Sequence, residues 1–284
     1  MYSEISFQTE MNLTSAMRHE YDRSERLLWI GAFVKVVFYL TTIATAAWSN
    51  GFAASLFLIL ACVGQAFLFI SRQVMQDHLS LGARLRRLAM LQNGIGREPT
   101  AFETALLPDR VWSATRATAD PYYSSRLPKG AKRLVDVTAE CAFFSGRIAD
   151  AAWVLFLFVS VAASCMLVLS LVLIAIFGAT QSRLEIVAKC VLIGITFWMT
   201  GDLVDISLKY RSVTNSCGRI LQECFRLLGE ENPSIEDAYV VFHEYDAAVA
   251  GAPPMPNHIY RRRDAGLGKI WQEMRSRGIS SDAA

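Results

Sequence analysis

The sequence predicts an all-α membrane protein whose four transmembrane helices form two hairpins. Four apolar stretches lead to this fold class, at residues 27–47, 52–70, 153–177 and 186–206. Each has about the 20 residues that a helix rising ~1.5 Å per residue needs to cross a ~30 Å hydrocarbon core. Only short tips, at 48–51 and 178–185, separate the two members of each pair. The substantial polar segments therefore lie before, between and after the hairpins.

The distribution of lysine and arginine predicts the orientation of these hairpins. Of the 28 basic residues, residues 1–26 contain three, residues 71–152 contain twelve and residues 207–284 contain ten. The two tips together contain one, Arg183. Because basic residues concentrate on the cytoplasmic side of membrane proteins, we expect all three polar segments and both termini to be cytoplasmic.

The first polar segment does not look like a cleaved secretory leader. A leader begins with a short basic region, whereas this segment contains five acidic residues: Glu4, Glu10, Glu20, Asp22 and Glu25. We therefore expect the first span to be an uncleaved membrane anchor.

The chain divides into five regions on this basis. A cytoplasmic N-terminal segment (1–26) precedes hairpin 1 (27–70), and a cytoplasmic helical insert (71–152) precedes hairpin 2 (153–206), which leads to a cytoplasmic helical C-terminal region (207–284). Apolar residues at three- to four-residue spacing continue past three of the spans, which predicts helical stalks over 71–92, 131–152 and 207–229.

Shorter elements are predicted around these stalks. We expect one short helix over 102–118, although Pro108 lies near its middle. In the tail, Ser234 is a suitable N-cap for a helix over 236–249. Three prolines within 251–256 exclude a helix there, and a basic helical pattern resumes over 260–277.

Five polar side chains lie in or near the predicted spans, where polar residues usually face a protein interior or an aqueous pathway. They are Lys35, Gln65, Lys189, Asp202 and Asp205. Lys189 and Asp205 are close enough to span ends to reach water. Lys35 and Asp202 are deeper but lie in the same half of the bilayer, so we expect them to neutralise each other. The lining of a hydrated pore is the alternative for this pair.

The sequence contains none of the catalytic or phosphate-binding motifs that we searched for. G-x-x-x-x-G-K-[ST], H-E-x-x-H and a G-x-G-x-x-G following a strand are missing, and the six cysteines include no C-x-x-C pair. The net charge of +2 gives no reason to expect a nucleic-acid polymer as a partner. We therefore expect a protein that is not an enzyme and that has no metal and no cofactor.

Two cytoplasmic stretches resemble a known family. The first contains Asp120-Pro-Tyr-Tyr-Ser124 and Glu140-Cys-Ala-Phe-Phe-Ser145, and the second contains Ala252-Pro-Pro-Met-Pro256 followed by Ile259-Tyr260. Together with the two hairpins and the length of the chain, they resemble the SMODS-associated four-transmembrane effectors of bacterial antiphage systems. The resemblance implies a pore-forming effector of the bacterial inner membrane. Its signal would be a cyclic oligonucleotide from a nucleotidyltransferase partner, and its action would be abortive infection.

Two basic and aromatic clusters could bind such a ligand, because cations suit its phosphates and flat rings suit its bases. The first consists of Tyr122, Tyr123, Arg126, Lys129, Lys132 and Arg133, and the second of Tyr260, Arg261, Arg262 and Arg263 near Trp271. Contact with anionic lipid headgroups is the alternative for both clusters. Glu140 is expected to form an ion pair with a neighbouring stalk.

The functional hypothesis is a homo-oligomer that permeabilises the lipid bilayer, because a four-span chain forms a useful pore mainly by oligomerising. Two alternatives stay open. One is a membrane-anchored sensor or scaffold, and the other is a small ion channel without a role in defence.

Overall fold

The computed structural model describes residues 13–47, 51–113, 123–177 and 183–280, and all of the regular secondary structure in these ranges is helical. The predicted all-α class is therefore confirmed. In chain order the helices are α1 (Leu13–Ala47), α2 (Gly51–Ile95), α3 (Ala101–Ala105), α4 (Asp109–Ser113), α5 (Ala131–Phe177), α6 (Arg183–Gly229), α7 (Ile235–Ala250) and α8 (Asn257–Ser280).

The predicted stalks are confirmed as unbroken continuations of the apolar stretches. α2 continues from the second stretch to Ile95, α5 begins at Ala131 and contains the third, and α6 extends the fourth to Gly229. α1 also begins earlier than its apolar stretch, at Leu13, which the sequence analysis did not predict. Its first turns bury Leu13, Ala16 and Met17 against α2 and α4, so tertiary packing stabilises a segment without a long apolar pattern.

The single helix predicted over 102–118 is wrong. Two short helices, α3 and α4, lie on either side of Pro108. Proline lacks a backbone donor and its ring clashes with the carbonyl of the preceding turn, so the helix ends before it. A capping box between Thr100 and Glu103 fixes the start of α3. Residues 114–118 lie outside the described part of the chain.

The tail follows its prediction closely. Ser234 Oγ accepts a hydrogen bond of 3.0 Å from the backbone N–H of Asp237, as an N-cap should. Residues 252–256 are not helical, and α8 then contains the predicted basic segment.

The main apolar core lies in the halves of the long helices that are farther from the predicted hairpin tips. There α5 and α6 pack against α7 and α8, and fully buried side chains include Leu134, Phe143, Leu227, Phe242 and Trp271. In the predicted spans the same helices expose large apolar side chains instead. Phe33 is 68% exposed, Phe69 is 64% exposed and Phe158 is 72% exposed. Among the described side chains, α1, α2 and α5 thus bury apolar residues at one end and expose them at the other.

One helical segment among the described residues, Ala131–Met166 in α5, is long and apolar enough to cross a membrane. The segment includes the first half of the third predicted span. Most of the side chains of the fourth span, and most of the residues of the two predicted tips, lie outside the described part of the chain. The structure thus supports an all-helical protein with one membrane-compatible helix, and the four-span topology stays a prediction.

Glycine allows α2 to approach the start of α5 closely. A Cβ atom on Gly94 would lie 2.8 Å from Cδ1 and 3.0 Å from Cα of Leu134. Gly94 also accepts a backbone hydrogen bond of 2.9 Å from Gly130. The end of α2 is therefore fixed against the first turn of α5.

We predict that Gly94→Ala destabilises the protein. Overpacking costs about 1–3 kcal/mol, which exceeds the gain of ~1 kcal/mol that alanine brings to a helix. Gly218→Ala on α6 is the matched control, because no atom lies within 4 Å of its Cβ position. The midpoint of thermal unfolding in detergent should fall for Gly94→Ala and stay or rise for Gly218→Ala. Equal midpoints would contradict the close approach.

Candidate functional site

Three helices bring opposite charges together inside the predicted membrane region. Lys35 on α1 donates a hydrogen bond of 3.3 Å from Nζ to Oδ2 of Asp202 on α6. Arg72 on α2 donates one of 3.3 Å from Nη1 to Oδ1 of the same carboxylate. The predicted pair between Lys35 and Asp202 is therefore present, and Arg72 is a partner that the sequence analysis missed. We call these three residues the charge cluster.

The three side chains of the charge cluster are buried to different degrees, and the most buried one needs a counter-charge. Lys35 is only 9% exposed, so its ammonium group needs a partner that compensates for lost hydration. The Asp202 side chain is 29% exposed and that of Arg72 is 43% exposed, so the cluster opens gradually towards solvent. One carboxylate between two cations leaves a formal charge of +1.

The charge cluster lines a cavity of about 360 Å³. The walls of the cavity are parts of α1, α2 and α6 with Phe156 of α5, and residues 250–253 of the tail close it on another side. Most of the lining is aliphatic, including Leu68, Met75 and Ile206. A polar cluster in a largely apolar cavity is the usual composition of a binding site.

The other predicted intramembrane residues lie outside the charge cluster. Asp205 pairs with Lys209 one turn along α6, at 2.8 Å, and both side chains are about half exposed. Gln65 on α2 is half-buried, and its Oε1 atom is buried without a hydrogen-bond partner among the described residues. The side chain of Lys189 lies outside the described part of the chain.

The first basic and aromatic cluster is divided between the core and the surface. Tyr123 is buried in the main core. Arg133 donates hydrogen bonds to Asn93 Oδ1 and to the Leu127 carbonyl, and Lys132 donates one to the Glu230 carbonyl. Arg126 and Lys129 remain exposed. Tyr122 lies outside the described residues.

The second cluster lies on α8 near the tail loop. Arg261 and Arg262 are exposed, and the Tyr260 ring lies 6.1 Å from that of Phe144. The side chain of Arg263 is outside the described part. Trp271 packs in the main core, 5.4 Å from the Phe143 ring. Ligand contact by either cluster stays a prediction.

The sequence analysis missed a buried clamp between α2 and α7. Arg86 Nη2 donates a hydrogen bond of 3.0 Å to Oδ1 of Asp246, and Arg87 Nε donates one of 2.9 Å to Oδ2. Arg86 also lies 5.3 Å from the centre of the Tyr245 ring. Arg86 and Asp246 are nearly fully buried. Their separation of 160 residues explains why no local pattern indicated this pair.

The tail loop forms a second connection, which we call the strap (residues 252–257). Tyr210 donates a hydrogen bond of 2.6 Å from its hydroxyl to the Pro254 carbonyl. The backbone N–H of Asn257 donates one of 2.8 Å to Glu25 Oε1, and the Asn257 amide also contacts Asp22. The strap therefore joins α6 to α1.

Glu140 and Cys217 are two side chains whose pKa values are raised by burial. Glu140 accepts hydrogen bonds from the backbone N–H of Ser124, at 3.0 and 3.2 Å, and the structure shows no ion pair between Glu140 and another described residue. Burial raises the pKa of its carboxyl, and the Ser124 N–H partly opposes that shift. Burial also raises the pKa of the Cys217 thiol to about 12, so this thiol stays protonated at neutral pH.

Comparisons with protein-family models, curated proteins and solved structures found no match.

We predict an order of severity for substitutions in the charge cluster. Asp202→Leu leaves buried Lys35 without a counter-charge, which should cost about 3 kcal/mol. Lys35→Met should cost less, because Asp202 keeps Arg72. The double variant Lys35→Met/Asp202→Leu should be more stable than Asp202→Leu alone, since it contains no orphaned buried charge.

Asp205→Leu is the control for this series. It breaks an exposed pair three residues along α6, which is worth ~0.5 kcal/mol or less. Thermal unfolding in detergent measures all four variants. If Asp202→Leu and Asp205→Leu are equally stable, the cluster does not depend on Asp202.

Proposed function

We propose that this protein is a multi-pass inner-membrane effector that permeabilises the bilayer when its cytoplasmic helices receive a signal. Four spans would form two hairpins, both termini would be cytoplasmic, and copies of the chain would assemble around a pore. The alternatives are a membrane-anchored sensor or scaffold and a small ion channel without a defence role.

The main support for this proposal is that α1, α2 and α5 expose large apolar side chains at one end and bury apolar side chains at the other. Large exposed apolar residues occupy 30–40 of α1, 59–74 of α2 and 154–176 of α5. The same helices bury their apolar residues at the cytoplasmic end. Soluble proteins rarely expose apolar patches this extensive, and a hydrocarbon environment would stabilise them.

Aromatic and basic residues support a boundary between these two zones. Arg211 lies 5.1 Å from the centre of the Trp153 ring, at the predicted inner end of the third span. Trp29 donates a hydrogen bond of 3.2 Å to Glu25 near the corresponding end of the first span. Tryptophan and arginine are common at membrane–water interfaces, where an apolar body and a polar tip are both satisfied.

The charge cluster favours a regulated pore over a permanently open one. Lys35 and Asp202 form an ion pair in this arrangement, so a permeating cation would have to compete with Lys35 for the Asp202 carboxylate. Opening would have to separate or hydrate them, and a signal could drive that step only by binding the open assembly more tightly.

The signal is proposed from the family resemblance stated above. It would be a cyclic oligonucleotide made by a nucleotidyltransferase partner, and the basic residues Arg126, Lys129, Arg261 and Arg262 are exposed to the surrounding solution. Permeabilisation would then stop the infected cell before phage matures.

We predict that both hairpin tips are outside and the tail is inside. An impermeant maleimide should label Asn50→Cys and Gln181→Cys in intact spheroplasts, whereas Ser276→Cys should react only after permeabilisation. The unsubstituted protein controls for its own six cysteines. Labelling of Ser276→Cys in intact spheroplasts would contradict the topology.

We also predict a signal-dependent loss of the membrane barrier. The chain is co-expressed with a panel of bacterial cyclic-oligonucleotide synthases while propidium entry and membrane potential are followed. The barrier should collapse with at least one synthase. Unchanged permeability with every synthase would count against the pore.

Variants test the role of the charge cluster in that assay. The double variant Lys35→Leu/Asp202→Leu should lose permeabilisation if the charge cluster gates the pore, and Asp205→Leu should retain it. If the double variant permeabilises the membrane fully, the charge cluster does not gate the pore.

A further inference from the structure

The cavity beside the charge cluster lies across the predicted membrane boundary. Its lining on α2 runs from Leu68 to Ser80, and the second apolar stretch ends between them, at Ile70. At ~1.5 Å per residue, twelve residues of helix cover about 18 Å. The cavity therefore begins at hydrocarbon depth and reaches the level of the lipid headgroups.

The walls of this cavity suit an alkyl chain. Five aliphatic or thioether side chains form much of the surface: Leu27, Leu68, Met75, Leu203 and Ile206. Phe156 is the aromatic residue among the lining residues. Stacking a nucleobase usually requires aromatic or guanidinium faces on more than one side, so this lining favours an acyl chain.

The charge of the cavity suits an anion. Lys35 and Arg72 share the single carboxylate of Asp202, and Lys209, the other basic residue of the lining, is already paired with Asp205. The surplus of one positive charge lies beside a largely apolar space, where an ion interacts more strongly than in bulk water. Arg72 is partly exposed, so its remaining guanidinium donors can reach a phosphate.

We infer that this cavity binds an anionic phospholipid of the inner leaflet. The phosphate lies at Arg72 and Lys35, and an acyl chain lies along the aliphatic walls of α1, α2 and α6. The strap closes the cytoplasmic side through Ala252 and Pro253, which are buried. This inference rests on the proposed membrane placement but not on pore formation.

Native mass spectrometry of the purified full-length protein in detergent tests the inference. Phosphatidylglycerol is compared with phosphatidylcholine and with inorganic phosphate. A surplus cation near a membrane surface favours an anionic headgroup about fivefold over a zwitterionic one, so we expect that preference for phosphatidylglycerol. Phosphate alone should not compete, because it has no acyl chain.

Two substitutions should shift the preference in opposite directions. Arg72→Gln removes the surplus charge and should abolish the preference, whereas Asp202→Asn doubles the surplus and should increase it. Arg84→Gln is the matched control, because Arg84 is exposed on the same helix and does not line the cavity. It should bind phosphatidylglycerol like the unsubstituted protein.

Several results would overturn the inference. These are equal binding of the two lipids, displacement of phosphatidylglycerol by inorganic phosphate, or an equal loss of binding in Arg72→Gln and Arg84→Gln. If the protein binds lipid as described but does not permeabilise the membrane, the result contradicts the proposed pore and still supports the lipid site.

Discussion

The continuity of the long helices is the constraint on which the rest of the molecule depends. α5 and α6 are each 47 residues long and run unbroken from the predicted membrane zone into the main apolar core. An unbroken helix satisfies its own backbone polar groups in either environment, so it can cross from hydrocarbon to water without a special junction. The pattern of its apolar and polar side chains, however, must change at the boundary between hydrocarbon and water.

That change of pattern explains the distribution of polar residues. At the core end of these helices an apolar stripe faces the core, whereas in the predicted membrane zone many described apolar side chains are exposed and the charged Lys35 is buried. The charge cluster lies where the core end of the helices meets the predicted membrane zone. Any one of its three residues facing lipid would be costly, so the cluster also fixes which faces of α1, α2 and α6 meet.

Local patterns predicted most of the fold. The stripes beyond the spans identified the stalks, and Ser234 marked the start of α7, because both depend on residues three or four positions apart. The division into α3 and α4 at Pro108 was not predicted, although this proline lies near the middle of the expected helix. The early start of α1 was missed because Leu13, Ala16 and Met17 become an apolar face only when α2 and α4 cover them.

The candidate sites were less predictable because proximity in sequence does not determine exposure. Tyr123 and Arg126 are three residues apart, yet one is buried and the other exposed. The pairing of Lys35 with Asp202 could be predicted because the spans constrain their depth. Arg72 was missed because it lies two residues beyond the apolar region that defines its span. The clamp at Asp246 joins residues from distant segments that carry no depth constraint of this kind.

The clamp and the strap together define what a cytoplasmic signal would have to change. Separating Asp246 from Arg86 would leave the buried guanidinium of Arg86 without its counter-charge, which typically costs about 3–5 kcal/mol. The strap adds the Tyr210 and Asn257 hydrogen bonds, and its residues also form one wall of the cavity. The tail is therefore held firmly in the described arrangement. A ligand could release the tail only if it binds the released state more tightly than the described state. The difference in binding free energy must be comparable to the free energy lost when the clamp and the strap separate.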